Sequence, residues 1–136
     1  MQTTDTVLMV RPVNFSFNAQ TATNNAFQQE GYGEQAQARA LVEFDNYVKL
    51  LREAGVNVIV VDDTPDPHTP DSIFPNNWFS THSAGEAEDF LTQEEAAEKT
   101  TAVVIYPMYA PNRREERGKN ALQVLSEHYG GNYKIL

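Results

Sequence analysis

Apolar side chains recur along the chain in two rhythms. Thr6 to Val10 (TVLMV) is a short apolar run of buried-strand type, stopped by Arg11-Pro12. From about Glu34 to Ala54 the interval lengthens: Leu41, Phe44, Val48 and Leu51 repeat at helical spacing and form one apolar stripe. Gly55 follows the last periodic residue, where a helix end favours glycine. Val56 to Val61 (VNVIVV) is a nearly continuous β-branched run, which predicts a strand buried on both faces. Between the first strand and the helix, Asn14, Asn18, Asn24 and Asn25 interleave with Phe15 and Phe17, and this stretch reads as a loop.

In the second half, Pro65, Pro67, Pro70 and Pro75 stiffen an irregular loop that carries Asp62, Asp63, Asp66 and Asp71. Trp78 to His82 and Ala102 to Tyr106 (AVVIY) read as strands joined by a long hairpin connection. A second helix starts at Pro111 or Asn112, where a proline costs no hydrogen bond. Ala121, Leu122, Leu125 and Tyr129 form its buried side, Gly130-Gly131 ends it, and Tyr133 to Leu136 begins another strand. The order β-α-β-loop-β-β-α-β places the chain in the α/β class. Five short strands and two helices leave sheet faces and edges uncovered, and a vacant strand edge invites pairing. The expectation is the N-terminal part of a larger enzyme, or a subunit completed by another chain or a second copy at its open edges.

Composition narrows the classes. The 136 residues suit one domain. With 19 acidic against 10 basic residues and a net charge of −9, nucleic acid is a poor partner, because phosphate binding needs clustered Lys and Arg. No apolar run is long enough to span a membrane. The N-terminus carries no secretory pattern, so a cytoplasmic location is expected. Acidity concentrates at about 84–101, where Glu86, Glu88, Asp89, Glu94, Glu95 and Glu98 stand against Lys99 alone. This block reads as a solvated insertion with a turn or two of helix, Thr92 and Glu95 lying at capping-box spacing. It lacks the spacing of a calcium loop. The chain has no cysteine, so it carries no thiolate chemistry of its own.

Three polar clusters carry the candidate chemistry: the loop from Asn14 to Asn25, Asp71-Ser72-Ile73-Phe74-Pro75-Asn76-Asn77-Trp78, and the run from Tyr106 through Arg113, Arg114 and Arg117. Each has a plain structural explanation. Asp71 can cap a turn, Asn76 and Asn77 can satisfy loop backbone, and the arginines can pair with Glu115 and Glu116 on a helix surface. Trp78 and Phe79 read as core.

Together the strings MVRPVNFSFNAQTATNN, DSIFPNNWFSTH and YPMYAPNRREER resemble the guanidino-group-modifying superfamily of arginine deiminases, dimethylarginine dimethylaminohydrolases and amidinotransferases. They resemble most the arginine-deiminase-related branch proposed to hydrolyse citrulline. The resemblance spans the chain except the acidic insertion. It implies an α/β propeller of five ββαβ-type blades (the pentein fold), of which residues 1–136 would form about two. It also implies a catalytic cysteine and histidine that lie outside these residues, so no residue here is assigned a catalytic role, and none of His68, His82 and His128 matches the family's histidine motif. In the complete enzyme citrulline would yield ornithine, ammonia and carbon dioxide through a covalent S-alkylthiouronium-like or thiocarbamate-like intermediate, with no metal or organic cofactor.

What the resemblance carries over is substrate binding. Asp71 matches an aspartate that accepts N–H bonds from the substrate, Arg113 an arginine that grips the α-carboxylate, and Phe15 and Asn18 fall where relatives carry a lid. Arg114 is expected to pair with a neighbouring acid. Asn76 and Asn77 stand where dimethylarginine-hydrolysing relatives carry a glutamate and an aspartate. A guanidinium offers only donors and suits a carboxylate, whereas a ureido group also offers a carbonyl acceptor, which an amide can match. The amides therefore favour a neutral ureido amino acid over arginine. A non-catalytic or degenerate amino-acid-binding module and one half of a split enzyme stay open as alternatives.

Overall fold

A computed structural model describes residues 4–22 and 33–136. Strand β1 spans Thr6–Arg11, and a single turn, α1, spans Ala19–Ala22. Helix α2 covers Gly33–Glu53 and strand β2 Asn57–Asp62. Asn24 and Asn25, the end of the expected loop, lie outside the described residues. Strand β1 pairs with β2 in parallel, Thr6 opposite Asn57 and Arg11 opposite Asp62. The return from α2 is set by Gly55, which adopts φ +87°. Its N–H donates to the Arg52 carbonyl and that of Val56 to Leu51, each at 3.0 Å, so carbonyls orphaned at the helix end are satisfied. Burial of β2 on both faces is incomplete: Val58 and Val61 are buried, while Ile59 and Val60 are half-buried.

The second unit follows the order ββαβ. Strand β3 (Phe79–His82) runs antiparallel to β4 (Thr101–Ile105), and β4 pairs in parallel with β5 (Tyr133–Ile135). The acidic block joins β3 to β4 and contains helix α3, Gln93–Ala97. Its capping box forms as the spacing predicts, Thr92 accepting from the Glu95 N–H while the Glu95 carboxylate accepts from the Thr92 N–H. Lys134 of β5 ties this block down through Glu95 at 3.0 Å.

The expected helix from Pro111 to Tyr129 is interrupted. Helix α4 covers only Pro111–Arg114, a 3-10 turn follows at Glu115–Gly118, and α5 begins at Ala121. Lys119 between them is extended, at φ −95° and ψ −170°. The break is tertiary in origin, because the Lys119 side chain is drawn into a buried ion pair with Asp63.

The core sits under the second sheet. Trp78, Phe79, Val103, Ala121 and Leu125 form it, and Leu8 of β1 packs against it, which joins the two units. Trp78 and Phe79 meet edge-on with ring centroids 4.6 Å apart. The α/β class is as expected. Both sheets, β1-β2 and β3-β4-β5, are open among the described residues. No helix there is long and apolar enough to cross a membrane.

Candidate binding site at the loop before β3

The loop from Asp62 to Asn77 is where the polar side chains converge. It closes on itself through short-range turns: Ser72 N–H donates to the Thr69 carbonyl, Phe74 N–H to Asp71, and Asn77 N–H to Phe74. Pro75 opens a 3-10 turn, Pro75–Asn77, which delivers the chain to Trp78 and the core. Asp71 and Ser72 are buried, whereas Asn76 and Asn77 are exposed.

Arg113 is buried at 8 % exposure beside Glu116 at 3 %. Its Nε donates to Glu116 Oε1 at 2.9 Å and its Nη2 to Glu116 Oε2 at 3.1 Å, a two-point pairing that suits a planar guanidinium. Nη2 also reaches the carbonyls of Phe74 at 3.1 Å and Asp71 at 3.3 Å. Nη1 donates to Asn77 Oδ1 at 2.7 Å. The expected surface pairing of these helix charges is thus a buried clamp on the loop. One Nη1 hydrogen lies outside this set.

The Asn77 contact orients its amide. Arginine has no acceptor, so Asn77 must turn its oxygen to Arg113 and its NH2 group away. Asn77 is exposed, and that NH2 group has no bond to another described residue.

Asp71 and Asn18 meet in a second branch. Asn18, 1 % exposed, donates through Nδ2 to Asp71 Oδ2 at 2.7 Å, and Thr21 Oγ1 reaches the same oxygen at 3.2 Å. Asn112 Nδ2 donates back to Asn18 Oδ1 at 2.8 Å, and Gln20 accepts from the Asn112 N–H. The early loop, the Asp71 loop and the start of α4 therefore share one polar network.

Of the six expected binding residues, Asp71, Asn77, Arg113 and Asn18 belong to this network. Phe15 and Asn76 instead line a cleft of about 1210 Å³, together with Met9, Phe44, Phe74 and Tyr129. Gln37 fastens the Phe15 segment to α2, accepting from the Phe15 N–H and donating to the Pro12 carbonyl. Arg114 differs from expectation: it donates to the carbonyls of Met108 and Tyr109, each at 2.8 Å, because α4 starts close behind them. His68 bridges Asn14 and Ser16, and His82 bonds Ser80 at 2.7 Å, so both serve local packing.

Burial pushes the Glu116 carboxyl above its ordinary 4.5; Arg113 opposes the shift, and Asp71 and Asp63 add repulsion. A folded-state value above the unfolded one means the folded chain holds this proton more tightly. Glu116 therefore contributes stability that is fully present below pH 4.5 and is lost as pH rises through the raised value. Measured by denaturation, wild-type stability relative to Glu116→Gln should fall as pH rises from 4.5. A rise across that window would reverse the assignment.

A family model described as N,N dimethylarginine dimethylhydrolase, eukaryotic, matches residues 11–136. No individual curated protein and no solved structure matches the chain.

Proposed function

Since the chain belongs to the N,N dimethylarginine dimethylhydrolase family, and thereby to the guanidino-group-modifying superfamily, we propose that it is the substrate-binding part of a hydrolase that cleaves a C–N bond of a ureido amino acid, with citrulline as the fitting ligand. The observation that supports this most is the orientation of Asn77. Arg113 takes the amide oxygen, and the NH2 group is left as a pair of donors. A ureido carbonyl can accept from it; a guanidinium, which has only donors, cannot.

Asn76 supplies a second exposed amide beside the apolar cleft, which accommodates the aliphatic chain of the ligand along Phe74 and Phe15. Asp71 accepts ligand N–H groups at the buried end. Arg113 acts chiefly through Asn77, and its remaining Nη1 hydrogen is the one available to an α-carboxylate. Asn18 joins the early loop to Asp71 as part of a lid. In this reading the two open sheets are two of five propeller blades. With no cysteine in the sequence, the nucleophile comes from residues beyond these 136, whether in the same chain or another.

Calorimetric titration tests the ligand assignment. An unpaired buried polar group costs about 1–3 kcal/mol, so citrulline should bind about fivefold to 150-fold more tightly than arginine. Asn77→Asp should reverse the order, because a carboxylate accepts from a guanidinium. Equal affinities in the wild type, or tighter binding of methylated arginine, would transfer the site to a cationic substrate. The chain alone should release neither ammonia nor ornithine from citrulline, and turnover without a partner would refute the need for an outside nucleophile.

A further inference from the structure

A second cation is buried under the same loop. The Lys119 side chain is 7 % exposed, and its ammonium meets Asp63 Oδ1 at 2.8 Å, the Thr64 carbonyl at 2.7 Å and Thr69 Oγ1. Each of the three ammonium donors thus has an acceptor. All three acceptors lie on the segment that leads into Asp71. The other Asp63 oxygen accepts from Ser72 Oγ at 2.6 Å. Thr69 and Ser72, which stand on either side of Asp71, are therefore both tied to the Lys119–Asp63 pair, and Ser72 N–H closes the turn onto the Thr69 carbonyl at 3.1 Å.

We propose that Lys119 is a positioning residue, which with Asp63 sets the turn from Thr69 to Ser72 and so holds the Asp71 carboxylate against Asn18 and Thr21. The loop is bolted at two points: Arg113 grips its late half through Phe74 and Asn77, and Lys119 its early half. The helix break at Lys119 is the structural counterpart of this role, since the residue that leaves the helix is the one that enters the loop's polar interior. The functional meaning of the position rests on reading Asp71 as a binding residue, but the positioning itself does not.

A buried ion pair contributes little net stability over apolar residues of equal volume, whereas removing one partner leaves an uncompensated charge. The test therefore compares Lys119→Met with the double variant Asp63→Asn/Lys119→Met, which removes both charges together. Amide hydrogen exchange is followed at Ser72 and Phe74 in the loop, and at Ile105 and Tyr106 in the sheet. Positioning predicts that in the double variant the loop amides exchange about tenfold faster or more, while the sheet amides keep wild-type rates. Loop amides as protected as in wild type, or loop and sheet accelerated by one common factor, would overturn the role.

If the double variant does not fold, Thr69→Val decides by the same readout, because it keeps both charges and removes one acceptor of the ammonium. Local loosening at Ser72 and Phe74 supports the role, and unchanged or uniform exchange rejects it. No ligand enters these measurements, so they stand even if citrulline fails to bind. Where citrulline does bind, its affinity should fall in the double variant in step with the loosening of the loop.

Discussion

Replacing Arg113 by methionine should destabilise the chain by about 3–5 kcal/mol, the cost of leaving a buried carboxylate without its partner. Glu116 loses both of its hydrogen bonds to the guanidinium, and the Asp71 and Phe74 carbonyls and the Asn77 oxygen lose their donor. Domains of this size have total stabilities of about 5–15 kcal/mol, so the loss approaches unfolding. Urea denaturation measures it. The double variant Arg113→Met/Glu116→Met, which removes the stranded charge, should recover part of the deficit. Recovery stays incomplete because the two loop carbonyls are still without a donor. A single variant within about 0.5 kcal/mol of wild type would show that the guanidinium is not clamped as described.

Trp78→Ala should cost a similar amount, about 3–5 kcal/mol, through lost burial and the cavity left behind. Trp78 is 2 % exposed and packs against Phe79, Val103, Ala121 and Leu125. It is also the joint between loop and sheet: its N–H donates to the Pro75 carbonyl at 3.1 Å, and its own carbonyl accepts from the Tyr106 N–H at 2.8 Å. The variant should therefore lose ligand binding along with stability, although no ligand atom need touch the indole. Since this is the only tryptophan, far-UV circular dichroism is the suitable probe of its unfolding. A loss below about 1 kcal/mol would mean that the cluster around Trp78 is not the core.

What the amino-acid pattern reveals is what local spacing controls. The apolar stripe of Leu41, Phe44, Val48 and Leu51 foretells α2, the glycine after it foretells the turn, and Thr92 with Glu95 foretells the capping box. The strands follow from their β-branched runs to within a residue or so. The break at Lys119 is only weakly marked by the same logic. Pro111, Ala121 and Leu125 fit one continuous helix, and an aspartate distant in sequence holds Lys119 out of it.

Long-range placement also decides the site. Arg113 and Glu116 have helix-surface spacing, and nothing local says that the Phe74 loop will cover them. The bond between Asn18 and Asp71 joins segments with no shared periodicity; their proximity is legible only through family resemblance. Lys119 carries no signal of its own, although a lysine set between a glycine and an asparagine inside an apparent helix is a cue that the helix is interrupted there. Asn76 and Phe15 show the converse. Both line the cleft and not the polar network, and for Asn76 the cause is the turn that Pro75 opens between Asp71 and Asn77.

The central claim is that Arg113 holds the Asn77 oxygen, so that the side-chain NH2 group faces the ligand. Nitrogen-edited NMR of the labelled chain, following the Asn77 side-chain amide during titration with citrulline and then with arginine, tests it most directly. Both Asn77 amide protons should show a saturating shift with citrulline and little change with arginine. An Asn77 amide that is unmoved by citrulline, while other residues report binding, would contradict it.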